Sequence, residues 1–169
     1  MGNHDAQLRR IIAPVAVLSE PVSPDLKTIG VKVRNQGDHT ETIGVYLDVI
    51  APGATAGDPD GPGDCLPYGR ILSTTVVVAP TVTVDVFADT GTLGDSLVEF
   101  SCANQAAVVG MRYTLIAAVD AHADDEFPFC APGLLLTLAC ANALADDDID
   151  PADNRLTRNA PRVQPVPSP

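Results

Sequence analysis

Apolar and polar residues alternate along TIGVKVRN (Thr28 to Asn35) and again along TIGVYLDVI (Thr42 to Ile50), with a polar break at NQGD between them. A period of two puts alternate side chains on opposite faces of a strand. Ile29, Val31 and Val33 then share one face, with Gly30, Lys32 and Arg34 on the other. Ile43, Val45, Leu47 and Val49 line the inner face of the second strand. The pattern predicts two half-buried strands that present apolar faces to one core and are joined by a polar reversal.

The same pattern recurs along the chain. IIAPVAVLSEP (Ile11 to Pro21) reads as a first strand, with Pro14 at an edge or a bulge. RILSTTVVVAPTVTVDVFAD (Arg70 to Asp89) predicts two strands split at Ala79-Pro80, the second with Val82, Val84 and Val86 inward. A short strand is expected over Leu97 to Cys102 and a longer one over Met111 to Asp120, with Tyr113, Leu115, Ala117 and Val119 inward. NRLTRNAPRV (Asn154 to Val163) is the last. Between these lie two long irregular stretches, Ala51 to Gly69 and Ala121 to Asp153. Within the second, GLLLTLACANAL fits a short helix or a buried strand equally well.

The pattern amounts to about seven strands with turn signals between them, an all-β, antiparallel Ig-like β-sandwich with two long loop insertions. The expected organisation is a flexible polar arm over residues 1–10, a sandwich over 11–163 and a Pro-rich tail over 164–169. Removal of the arm is expected to leave the fold intact and to disturb assembly.

Composition narrows the core and the partners. Apolar residues make up 46% of 169, aromatics only 4%, and Trp is absent, so Val, Leu, Ile and Ala must fill the interior. The missing Trp argues against an antibody-type domain. A formal net charge of -12 repels phosphate backbones and disfavours nucleic acid. The apolar run IIAPVAVL is too short to span a bilayer, and no membrane insertion is expected. Arg9-Arg10 is similar to a twin-arginine export signal but lacks the apolar region that should follow. The alternatives are a trimmed piece of a secreted protein or a protein assembled without classical export.

Cys65, Cys102, Cys130 and Cys140 contain no CxxC, so zinc-knuckle and thioredoxin-type motifs are unsupported. Two disulfides in an oxidising compartment fit this spacing, and four buried free thiols are the alternative. Of the three pairings, Cys65–Cys102 with Cys130–Cys140 closes one irregular segment each.

VKVRNQGD, YTLIAAVD and DPADNRLTRN together resemble the CARDB group, the bacterial cell-adhesion-related Ig-like domains. Asn35 and Gly37 match a strand ending in Asn-x-Gly. Gly110, Tyr113, Thr114, Leu115 and Asp120 match a Gly-x-Tyr-Thr-Leu strand ending in Asp, with one extra residue after Gly110. Asp150, Asp153 and Asn154 match an acidic turn before the final strand. The long insertions and the cysteines depart from that family. The resemblance implies a seven-stranded sandwich used for binding, adhesion or spacing, with no catalytic residues. Physically, Asn35 can satisfy backbone groups at a strand end and Gly37 can adopt a left-handed conformation. Tyr113 can place its ring in the core and its hydroxyl on a loop carbonyl.

Candidate chemistry is sparse. GDSL at Gly94 to Leu97 is a serine-esterase tetrapeptide, but no D-x-x-H and no βαβ pattern accompany Ser96. His4, His39 and His122 lack metal-ligand spacing. Asp146, Asp148, Asp150 and Asp153 are candidate Ca²⁺ ligands pooled from a loop. The Gly and Glu of an EF-hand are missing there. Asp58, Asp60 and Asp64 form a similar set, and Asp124, Asp125 and Glu126 form another acidic cluster. The expected function is a non-enzymatic structural or interaction module of an extracellular or cell-surface assembly: a surface protein, an adhesin segment or a filament subunit. Its partners are proteins, through self-association or a larger assembly. The alternatives are a virion structural or decoration protein and a carbohydrate-binding accessory module. The latter suits this chain poorly, given its few aromatics.

Overall fold

A computed structural model describes residues 5–18, 25–55, 61–89, 97–120 and 155–165. Among them the strands are β1 (Ala6–Ile12), β2 (Ala16–Val17), β3 (Asp25–Lys27), β4 (Gly30–Asn35), β5 (Glu41–Ile50), β6 (Cys65–Leu66), β7 (Gly69–Val78), β8 (Thr83–Phe87), β9 (Val98–Cys102), β10 (Arg112–Asp120) and β11 (Arg155–Val163). A three-stranded sheet, β1-β4-β8, faces a five-stranded one, β2-β11-β10-β5-β7. A smaller sheet, β3-β9-β6, adds Val98, Phe100 and Cys102 to the same core. All strand pairs are antiparallel except β2 with β11. The fold is an all-β sandwich. The count exceeds the expected one because β2, β3 and β6 are only two or three residues long. Pieces that short leave no periodic trace in a sequence.

Alternation makes the core as the residue pattern demands. Ile29, Val31, Val33, Ile43, Val45, Leu47 and Val49 are all fully buried, as are Tyr113, Leu115, Ala117 and Val119. β4 and β5 do not pair with each other. The chain crosses from one sheet to the other at NQGD, so both strands aim their apolar faces inward across the sandwich. Ala79–Val82 makes the reverse crossing from β7 to β8. Val84 is only partly buried and Val86 is buried, whereas Val82 lies before β8 and is 42% exposed rather than inward.

Two expectations change at the N-terminus. Residues 6–10 are not an arm: they belong to β1, which pairs with β4 from Ala6↔Asn35 to Ile12↔Gly30, and Ala6 and Leu8 enter the core. Polar residues disguised this strand, because Gln7, Arg9 and Arg10 project from the core face. The strand expected over Ile11 to Pro21 is interrupted at Pro14, where the chain leaves β1 and joins the other sheet as β2. Proline offers no N–H to continue a ladder, so the break falls where the chemistry requires it.

Gly30 sits where β4 and β8 approach closely: a Cβ there would lie 2.4 Å from the Val86 carbonyl oxygen. Gly37 is not in the left-handed region; that conformation is taken by Gly53, Gly69 and Gly110.

Candidate interaction surfaces

The crossing from β4 to β5 is organised by Asn35, which is fully buried. Its Nδ2 donates to the carbonyls of His39 at 2.9 Å and Val78 at 2.8 Å. Its Oδ1 accepts from the Gly37 N–H at 2.9 Å. One side chain thus satisfies both the turn and the end of β7. The role of Gly37 is that N–H donation rather than positive φ.

His39 lies in the same turn. Its Nδ1 is 2.9 Å from Asp38 Oδ1, and its Nε2 contacts Glu41 Oε1. The hydrogen bond with Asp38, reinforced by the charge of Glu41, outweighs desolvation and holds the imidazole above its ordinary value of 6.5. The imidazolium is therefore favoured in the folded chain. Its stabilising contribution is complete below the ordinary value and is lost as pH rises through the raised one. We expect the melting temperature of the wild-type chain to fall across that interval, and His39→Gln to flatten the fall. Unchanged pH dependence in His39→Gln would show that the turn does not sense pH.

A second organised region surrounds the Cys65–Cys102 disulfide, which joins β6 to β9 at directly opposed positions. The Tyr113 ring is fully buried and meets Phe100 edge-on, with centroids 5.0 Å apart. Its hydroxyl donates to the Leu66 carbonyl at 2.8 Å. That acceptor lies 47 residues upstream in β6, so the contact joins β10 to the small sheet rather than closing a local corner. Tyr68 donates to Thr55 at 2.7 Å and ties the neighbouring loop down. These bonds shape an open cleft of about 290 Å³ lined by Leu66, Tyr68, Arg70, Ile71 and Glu99, with Leu66 59% exposed.

The central strands β5 and β10 are buried on both faces. On the face away from the core, Tyr46, Asp48, Ile116, Ala118 and Asp120 are also inaccessible. Arg70 Nε donates to Asp48 Oδ1 at 2.7 Å, and its guanidinium stands 5.9 Å from the Tyr46 ring centroid. Burial, then the charge of Asp120, push the Tyr46 phenol well above its usual value, partly offset by Arg70. The ring covers Gly44, where a Cβ would fall 2.5 Å from the hydroxyl oxygen. Sequence reading missed the Asp48–Arg70 pair because its members are 22 residues apart. A charge at a strand position flanked by apolar residues, as in YLDVI, was the available signal.

The sheet edges are the third feature. β7 borders the five-stranded sheet and β8 the three-stranded one. From Ile71 to Val78, β7 carries no charged residue. Ser73, Thr74 and Thr75 are exposed and Val77 is 71% exposed. Among the described residues no strand pairs with the outer edge of β7.

Several candidate residues lie outside the described residues: Asp146, Asp148, Asp150 and Asp153; Asp58 and Asp60; Asp124, Asp125 and Glu126; Cys130 and Cys140; His4 and His122; and Ser96 of GDSL. Among those described, no group of three or more His, Cys, Asp or Glu residues is placed to hold a metal ion. No helix among them is long and apolar enough to cross a membrane.

No protein-family model matches the chain, and no curated protein matches it.

Proposed function

We propose that the chain is a non-enzymatic structural and interaction module of an extracellular assembly, a surface-protein domain, adhesin segment or filament subunit, that engages its neighbours through the outer edge of β7. The outer edge of β7 from Thr74 to Val78, uncharged and β-branched beyond Arg70 and the bulge at Ile71, carries this reading. A long edge strand presents a row of backbone donors and acceptors, and proteins that must stay apart blunt such edges with Lys, Pro or bulges. Thr74, Thr75, Val76, Val77 and Val78 offer no such device. An extended segment from a neighbour can add there as a further strand, taking affinity from main-chain bonds and specificity from alternate side chains. The Cys65–Cys102 disulfide supports an oxidising compartment. The resemblance to cell-adhesion-related Ig-like domains points the same way. The polar side chains described above brace turns and sheets: Asn35 on three backbone groups, Tyr113 on a carbonyl, Asp48 on Arg70.

The test is a charged edge. Thr75→Lys with Val77→Lys alters exposed positions and should leave the circular dichroism spectrum and melting temperature unchanged. Association, followed by sedimentation velocity and electron microscopy, should weaken by at least about tenfold. Association equal to that of the wild type would reject β7 as the contact.

A further inference from the structure

We infer that the cleft beside the C-terminal half of β11 is a carboxylate-binding seat that receives an acidic segment of a second copy of this chain. The inference rests on the reading of the chain as an assembly module and names a second surface for it.

The cleft, about 220 Å³, is lined by Val15, Arg112, Arg158, Asn159, Ala160 and Arg162. It gathers three of the ten basic residues of a chain with 22 acidic ones, and no carboxylate lines it. Arg112 and Arg162 are direct cross-strand partners. Like charges so placed cost stability. Elsewhere Lys27, Lys32 and Arg70 each sit against an aspartate. Among the described residues, Arg112, Arg158 and Arg162 have no acidic partner within salt-bridge distance. The cleft is also held in shape. The Arg162 N–H donates to the Val15 carbonyl at 2.9 Å, and Arg158 anchors one guanidinium nitrogen on the Ile11 carbonyl at 2.8 Å. Val15 itself is 77% exposed and gives the seat an apolar wall.

Guanidinium forks match carboxylates in geometry as well as charge. The densest source of carboxylates is the chain itself, in ADDDIDPAD (Ala145 to Asp153). A run of that density complements a cleft that holds three arginines and no carboxylate, so a second copy supplies the charge this cleft lacks. β2 pairs with β11 only at Arg162 and Val163, so the edge over Leu156 to Ala160 has no strand partner among the described residues. This edge and β7 are opposite borders of one sheet. A contact that joined one border of a copy to the opposite border of the next would be heterologous, and such contacts propagate into rings or filaments.

The experiment is sedimentation velocity over a range of protein and NaCl concentrations, with three new variants beside the Thr75→Lys, Val77→Lys variant. Wild type should associate at low salt and weaken at least tenfold on raising NaCl. Arg112→Glu should raise the melting temperature, because it replaces a like-charge cross-strand pair with an opposite one, and yet abolish association. The double variant Arg112→Glu, Arg162→Glu should also abolish it. Asp146→Asn with Asp147→Asn and Asp148→Asn should weaken association tenfold, and a synthetic ADDDIDPAD peptide should compete. Association that survives Arg112→Glu but is lost in Thr75→Lys with Val77→Lys would overturn this seat and leave the β7 reading standing. Loss in Arg112→Glu with retention in the lysine variant would do the reverse. A wild-type chain that binds inorganic phosphate at the arginines and stays monomeric throughout would overturn the second copy as occupant.

Discussion

A chain beginning at Ile11 should not fold. The reason is β1. Its pairing with β4 runs over Ala6, Gln7, Leu8, Arg10, Ile11 and Ile12, and the shorter chain loses most of that ladder. It also loses two side chains from the core, Ala6 at 1% and Leu8 at 4% exposure. Emptying the Leu8 site alone costs about 3 kcal/mol by comparison with leucine truncations in other cores. The missing ladder turns β4 into an edge and exposes one side of Val31 and Val33. The sum approaches the whole stability of a domain of this size, about 5–15 kcal/mol. Thermal unfolding followed by circular dichroism decides it. A cooperative transition at the wild-type temperature in the shorter chain would mean that β1 is dispensable.

Loss of the Cys65–Cys102 bridge is the second large effect. The bond closes a stretch of 37 residues in sequence. Chain-entropy reasoning assigns such a closure about 4 kcal/mol, because the unfolded ensemble regains the freedom that the bond removes. The double substitution Cys65→Ala, Cys102→Ala should therefore lower the melting temperature by about 8–16 °C in a chain of this length. Both sulfurs are buried, so their replacement also leaves unfilled volume beside Tyr113 and Val108. Reduction of the wild-type protein should reproduce the greater part of the shift. The Leu66–Ile71 cleft should loosen with it, because the Leu66 carbonyl that receives the Tyr113 hydroxyl follows Cys65 directly. A melting temperature unchanged to within a degree or two would show that β6 and β9 are held by packing alone.

How far the residues foretold this molecule depends on the range of the interaction. Strong alternation announced β4, β5 and β10 with the correct faces, since period two is a local property and the opposing sheet only has to accept it. Pro14 and Pro80 marked a bulge or edge and a break between strands, as a missing N–H is also local, but that the chain changes sheets at each was not legible. Strand order was not legible. Nothing in TIGVYLDVI says that β5 lies between β7 and β10, because pairing is settled by packing between distant segments. β1 was obscured by Arg9 and Arg10, whose aliphatic stems can lie along a strand while their charges reach water. The pairing of Cys65 with Cys102 was legible as one of several options, since it closes a Gly- and Pro-rich stretch. The arginine cleft could not be read in advance. Arg112 and Arg162 are separated by the long insertion, and only the β10–β11 register brings them face to face.

Amide hydrogen exchange along β7, compared between dilute monomer and assembled native material, tests the proposed contact most directly. If a neighbour adds to the open edge, alternate amides between Leu72 and Val77 should slow by at least about tenfold on assembly, while those of β4, already paired on both sides, should not change. Assembled material in which β7 exchanges at its monomer rate would contradict the claim that this chain works by lending its sheet edge to a partner.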